Sequence, residues 1–207
     1  MNKSIIIIGN GGHASVLTEI LLAQKQKIIG FTSPRIEDNT FHLPYLGNDG
    51  AIEKYNPSDI ELVLGIGIIK PSPLREKIFN TYSNANFQFK SVIHPSAIIA
   101  PSVKLGEGVQ IMAGAIIQTN TIIADNSIIN TGALIDHDCQ IGAHTHIAPG
   151  TKISGGVYIQ KGTLIGIGST VIQGIHIGAN CIIGAGAVVI SNIAKGKKAL
   201  GVPAKEV

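Results

Sequence analysis

A chain of 207 residues with 14% charged residues, no Trp and a formal net charge of +3 is long enough to bury a sizeable core in one or two domains. Its basic residues form no continuous stripe, which excludes a nucleic-acid-binding surface of the usual electrostatic kind. The aliphatic run Ile5–Ile8 is too short for a signal-peptide core and no stretch approaches a membrane span, so a soluble cytoplasmic protein without a membrane partner is expected.

Residues 1–90 alternate strand and helix signals. Ser4–Gly9 reads as a buried strand that runs straight into the turn Gly9-Asn10-Gly11-Gly12-His13-Ala14. His13–Ala23 has helical spacing, with Val16, Ile20 and Leu21 expected on the buried face. Lys27–Phe31 reads as a second strand, and Arg35–Asn56, broken by Pro44, Gly47 and Gly50, as loop with one short helix. Pro57 and Pro71 mark further breaks. Between them Glu61–Leu64 is a third strand, followed by Gly65-Ile66-Gly67. A helix over Pro73–Tyr82 and a short strand over Phe87–Val92 complete a small Rossmann-like α/β domain with a parallel sheet.

The first turn fits G-x-G-x-x-A, which lets backbone N–H groups at a helix start approach a phosphate. A dinucleotide site also wants an acidic residue at the end of the second strand, and Phe31-Thr32-Ser33-Pro34 stands there instead, which disfavours NAD. A nucleotide diphosphate and a purely structural tight turn both remain open.

From Ile93 to Val189 the chain repeats every six residues: seventeen successive positions, among them Ile111, Ile129, Ile147 and Ile165, are all branched aliphatics. An α-helix cannot keep a period of six on one face, so residues 91–207 are expected to form a hexapeptide solenoid with a C-terminal tail. Three hexapeptides close one coil of eighteen residues, giving about five coils spaced roughly 4.8 Å apart. Cys139 and Cys181 occupy the small inward position of the repeat and should lie on different walls, as buried hydrophobes with neither a disulfide nor a metal between them.

One cluster departs from the bland composition of the repeat: Asp136-His137-Asp138, with His144 and His146 close behind. Ile135 and Cys139 point inward, so His137 should reach solvent or a neighbouring chain. An imidazole between carboxylates suits a general base, because a carboxylate fixes its tautomer and favours the imidazolium. A solvated polar corner is the plain alternative. His137 and His146, nine residues and half a coil apart, should point in different directions on one prism, so they could share a ligand only between two chains. A trimer of parallel prisms is the simplest closed arrangement. A zinc site is the rival use, but the spacing of the zinc-binding histidines in γ-class carbonic anhydrases, which share such solenoids, is not met by His137, His144 and His146.

Five motifs together carry a family resemblance: Gly9-Asn10-Gly11-Gly12-His13; Asn130-Thr131; His137-Asp138-Cys139 with Ile141-Gly142; His146-Ile147-Ala148-Pro149-Gly150; and Gly201-Val202-Pro203-Ala204-Lys205. Over nearly its whole length the chain resembles the sugar O/N-acyltransferases of the sialic acid O-acetyltransferase type. The resemblance implies a left-handed parallel β-helix and an acetyl-CoA-dependent N-acetyltransferase for a UDP-linked 4-amino-4,6-dideoxy sugar of the bacillosamine type. It further implies a homotrimer with sites between subunits and no metal. Residue by residue, it makes His137 the base, Asp138 its supporting acid, and His146, Ile167 and Ala185 the acetyl-CoA contacts. Gly11, Gly12, His13 and Gly67 become the nucleotide-sugar loops, with Thr32 and Ser33 where the family often has acidic nucleotide contacts. O-acetylation of sialic acid, a GDP-linked amino sugar as acceptor, and a non-catalytic scaffold are the alternatives. Lys195, Lys197 and Lys198 are candidates for the phosphates of CoA.

Overall fold

Ile5–Ile8 are 0–1% exposed, as a strand covered on both faces requires. In the computed structural model, which describes residues 3–68 and 73–207, this segment is β1 (Ser4–Ile8). It pairs in parallel with β2 (Ile28–Thr32) on one side. Two further strands follow in the chain, β3 (Tyr45–Gly47) and β4 (Ile60–Leu64), and β4 pairs with β1 on its other side. With β5 (Gln88–Phe89) the parallel sheet has the order β3-β2-β1-β4-β5. Pro71 lies outside the described residues.

The helix α1 (Gly12–Ala23) buries Ala14, Leu17, Thr18, Ile20 and Leu21. Val16, expected on that face, is 44% exposed. At 100° per residue, positions 14, 17, 18 and 21 centre the stripe, and 16 falls about 150° from that centre, on the opposite face. The strand β3 was not legible in Arg35–Asn56, whose helical part is a 3₁₀ turn at Asp49–Lys54. Its trace in the sequence is Gly30, where an added Cβ would lie 2.5 Å from the Pro44 carbonyl as this edge closes on β2. The second helix, α2 (Leu74–Asn84), packs Ile78, Phe79 and Tyr82 into the core and buries Arg75. Arg75 Nη1 donates to the carbonyls of Leu64 (2.9 Å) and Ile66 (2.6 Å), while Nε and Nη2 find no partner among the described residues.

The chain divides into two units: residues up to Gly67 together with Pro73–Val92, and Ile68 together with Ile93–Val207. In the second unit each hexapeptide contributes a two-residue strand, and the strands stack in parallel into three walls with partners eighteen residues apart, such as Ile117 with Ile135 and Ile135 with Ile153. The first wall runs from Val92–Ile93 to Ile182–Ile183, the second from Ile98–Ile99 to Val188–Val189, and the third from Lys104–Leu105 to His176–Ile177. The second residue of each central strand points inward and is 0–1% exposed, each burial contributing about 1.5–3 kcal/mol over an exposed side chain.

The small inward position has a further role. Its hydroxyls donate to a carbonyl on the next coil, as Thr121 Oγ1 does to Asp136 O (2.9 Å) and Thr163 Oγ1 to Gly178 O (2.9 Å). Cys139 Sγ and Cys181 Sγ do the same, toward Ser154 O (3.2 Å) and Ala194 O (3.0 Å). Both thiols are free and buried. The C-terminal tail ends the column, with Lys198–Leu200 on Ile182–Ile183 and Lys205–Glu206 folded back antiparallel. No helix among the described residues is long and apolar enough to cross a membrane.

Candidate active site

In the first unit, the strand order reverses between β1 and β4, the place where open parallel sheets form a ligand crevice beyond their carboxyl ends. Two glycine turns meet there. An added Cβ on Gly65 would lie 2.7 Å from Ala14 Cβ, and one on Gly67 would lie 3.3 Å from His13 Cβ. Those glycines let the turns approach each other. At Gly11 and Gly12 an added Cβ would meet nothing within 4 Å, so open space lies above the start of α1. The N-cap Gly11 makes no side-chain cap and the first turn holds no acidic residue, which leaves the positive end of the helix dipole toward that space.

The hydroxyls at the end of β2 turn inward: Thr32 Oγ1 donates to Asp49 Oδ1 (2.7 Å) and Ser33 Oγ donates to the Arg35 carbonyl. Both residues are buried, and their backbone is engaged as well: Thr32 O accepts from the Gly9 N–H (2.8 Å) and the Ser33 N–H donates to Gly47 O (3.1 Å). The loop that follows is tied to the first glycine turn by Asn10 Nδ2, which donates to Asp38 O (2.9 Å), and by Asn39 Nδ2, which donates to Asn10 Oδ1 (2.6 Å). Beside it Ile36, Glu37, Asp38, His42 and Tyr45 line a pocket of about 620 Å³. Sequence reading missed this loop, because nothing in the spacing pairs Asn10 with Asn39.

The histidine cluster is spread over the solenoid. His137 and Asp138 stand on the edge between the second and third walls, with Ile135 and Cys139 on either side fully buried. His137 Nδ1 lies 2.7 Å from Asp138 Oδ2. A carboxylate only accepts, so Nδ1 carries the hydrogen and Nε2 of the neutral ring keeps its lone pair. Asp138 also accepts from Asn120 Nδ2 at 3.1 Å, one coil earlier, and the His137 N–H donates to Asp136 Oδ1 at 2.8 Å. The hydrogen bond to Asp138 and, less strongly, the charge of Asp136 hold the His137 imidazolium above its ordinary value despite some desolvation. The same bond and that from Asn120 hold the Asp138 carboxyl below its ordinary value. Asn120 was not singled out in the sequence, although counting one coil back from Asp138 finds it.

His146 is on the first wall and only 8% exposed. Its Nδ1 donates to the Ile68 carbonyl (2.8 Å), and its Nε2 accepts from Asn130 Nδ2 (3.0 Å). Ile167, 62% exposed, and the exposed Ala185 stack one coil apart on the edge between the first and second walls, where the Gly186 N–H donates to the Ile167 carbonyl at 2.8 Å. His146, Ile167 and Ala185 therefore gather along one side of the prism, and the second wall separates them from His137. His144 lies on the remaining edge and pairs with Asn126 (2.9 Å). Among the described residues no group of three or more His, Cys, Asp or Glu is placed to hold a metal.

Burial pushes the Cys139 thiol up to about 11, so it is inert at neutral pH. Lys197, one of the tail lysines, lies 3.6 Å from the Glu206 carboxylate. On the edge between the second and third walls stands a histidine whose Nδ1 is held by a carboxylate, an arrangement chemically able to take up a proton at Nε2, and the neighbouring Cys139 thiol faces inward.

Residues 4–82 match the family PglD N-terminal domain, and residues 102–137, 120–155 and 156–191 match Bacterial transferase hexapeptide (six repeats). Among solved structures, the acetyltransferase domain of PglB from Neisseria gonorrhoeae FA1090 is 31% identical with a TM-score of 0.94, each chain covered completely. The same domain in complex with acetyl coenzyme A is 30% identical with a TM-score of 0.93, again over all of both chains. PerB from Caulobacter crescentus, in complex with CoA and GDP-perosamine, is 37% identical with a TM-score of 0.90, covering all of this chain and 98% of that one. Comparison with curated protein sequences gave no match. The solenoid is a left-handed parallel β-helix.

Proposed function

Because the chain belongs to the hexapeptide-repeat sugar acyltransferases with a PglD-type N-terminal domain, we propose that it acetylates the 4-amino group of a UDP-linked 4-amino-4,6-dideoxy sugar from acetyl-CoA. Amino-sugar acetyl transfer is the activity of its relatives; the UDP nucleotide, the histidine base and the assembly are our reading. The observation that carries it is the His137–Asp138 pair at the prism edge, with Nδ1 held by the carboxylate at 2.7 Å and the imidazole half-exposed.

The neutral amine attacks the thioester carbonyl carbon and its proton passes to His137 Nε2. The tetrahedral oxyanion collapses with cleavage of the C–S bond, and the imidazolium returns the proton to the departing thiolate. Asp138 keeps the ring in the productive tautomer and offsets its charge while it is protonated. No acyl-enzyme is needed, in keeping with the inert, inward-facing Cys139. The open space above Gly11 and Gly12 and the uncapped start of α1 suit the diphosphate of the sugar nucleotide, with Gly67 and His13 closing the second side.

We assign acetyl-CoA to the side that carries His146, Ile167 and Ala185. On one prism the second wall lies between this side and His137, so the two halves of the site come from neighbouring chains of a trimer. The outward residues of that wall support the packing of a second copy, since Ile98 is 63% exposed and Ile116 and Leu134 are half-buried beside it.

A GDP-linked amino sugar is the second reading. It is favoured by the 37% identity to PerB, whose complex holds GDP-perosamine, against 31% to the PglB domain. Thiol release from acetyl-CoA over a panel of UDP- and GDP-linked 4-amino sugars and free sialic acid, with His137→Ala alongside, tests both readings. Turnover of a UDP-amino sugar, lost on the order of a hundredfold or more in the variant, supports the first. Preference for a GDP sugar selects the second, and activity on sialic acid alone overturns both.

A further inference from the structure

Gly155 stands directly below His137, one coil further along, and its backbone gives no reason to be glycine. The next residue, Gly156, has φ +65°, a left-handed turn that favours glycine, whereas Gly155 is not in that region. What it meets is the imidazole: an added Cβ would lie 2.5 Å from both Cε1 and Nε2 of His137 and 3.0 Å from Nδ1. Real Cβ atoms do not approach ring atoms so closely, so a side chain here must push the ring away. Burial points the same way. The column at this edge runs Pro101, Thr119, His137, Gly155, Gln173, and Gly155 alone of the five is buried.

We propose that Gly155 is a positioning residue for His137, its bare backbone forming the seat that keeps the imidazole within reach of Asp138. The pair is then fixed from both neighbouring coils. Asn120 holds the carboxylate from the preceding coil, and Gly155 supports the ring from the following one. The ionisable groups around the ring are Asp136 and Asp138 on its own turn. Thr119-Asn120 and Gly155-Gly156, which pack against it from the two coils, carry none.

The catalytic consequence of this seat rests on the reading of His137 as the base, but the steric relationship does not, and two measurements separate them. The first needs no substrate. Gly155→Ala should lower the melting temperature and shift the NMR titration of His137 toward the ordinary imidazole value, because the ring leaves Asp138. In the His137→Ala background the same change should cost nothing in melting temperature, since no ring remains to collide. An equal cost in both backgrounds, or an unmoved His137 titration, overturns the proposal. Gly132→Ala, at φ +65° with open space around it, serves as the comparison and should leave the titration alone. The second measurement is kinetic: Gly155→Ala should reduce kcat about tenfold or more with KM for acetyl-CoA unchanged, and should move the acid limb of kcat/KM to lower pH. A wild-type protein inactive on every amino sugar, with the first measurement as expected, would remove the functional reading and leave the seat standing. Wild-type rates and an unshifted limb in Gly155→Ala would remove the seat.

Discussion

Asn120 Nδ2 donates to Asp138 Oδ1 across one coil at 3.1 Å, and the two residues share a left-handed backbone, with φ 60° at Asn120 and φ 59° at Asp138. Both adopt this turn because short polar side chains tolerate it. The carboxylate beside His137 is thus fixed by the preceding coil as well as by its own turn. Asn120→Gly keeps a residue suited to the turn and deletes only the amide. It should lower kcat about three- to tenfold, the scale of one lost orienting hydrogen bond, while the melting temperature barely moves. Asn120→Ala should add a loss of stability, because alanine is strained at that φ. Steady-state kinetics beside thermal melts separate the two, and equal kcat for Asn120→Gly and wild type would show that Asp138 needs no such support.

The pH dependence follows from the same pair. On the proposed mechanism His137 acts when neutral, so kcat/KM should fall as the pH drops through its raised pKa, which lies above the ordinary 6.5. Asp138→Ala removes the principal cause of that rise. The acid limb should therefore move down toward the ordinary value while the plateau rate falls, since the ring loses its fixed tautomer. A limb that stays in place would mean that another group sets the profile. A pH–rate series on wild type and variant, with a saturating amino sugar, reads both effects.

Direct transfer makes a claim about the cysteines. Cys139 lies beside the base in sequence, but its thiol faces the interior and donates to Ser154 O at 3.2 Å. Cys139→Ser supplies a better donor at the same place, so it should retain wild-type kcat and melting temperature. Cys139→Ala leaves that carbonyl unpaired and should cost stability, about 1 kcal/mol, but not rate. Loss of turnover in a folded Cys139→Ser protein would instead point to an acyl-cysteine, which mass spectrometry after acetyl-CoA treatment would detect.

The crevice proposed for the nucleotide sugar offers a fourth test. Gly65→Ala would bring a methyl group to 2.7 Å from Ala14 Cβ and 3.0 Å from the Ile8 carbonyl, so the first glycine turn and the start of α1 must move. The expected result is a KM for the nucleotide sugar raised about tenfold or more, with KM for acetyl-CoA unchanged. Parallel rises in both constants would indicate general loosening instead.

Periodicity made the solenoid legible because each coil is specified locally. A branched aliphatic every six residues dictates an inward face, whatever else the chain does, and Ile111, Ile129 and Ile147 lie where that rule puts them. The glycine turn after β1 was readable for a similar reason, since strand, turn and helix are contiguous. An edge strand of three residues such as β3 carries too little pattern to read, and Val16, spaced four residues before Ile20 as on one helical face, lies outside the stripe that the helix buries.

The sequence by itself determined a hexapeptide solenoid behind a small α/β domain and marked His137 and Asp138 as the unusual pair on it. Only the tertiary structure decided what holds that pair. Asn120 and Gly155 lie seventeen and eighteen residues from His137, and neither stands out by type, because Asn and Gly fill many turns of this chain. They become neighbours of the pair, Asn120 of Asp138 and Gly155 of His137, only when coils stack at about 4.8 Å, because these supporting contacts are made between coils and not along the chain.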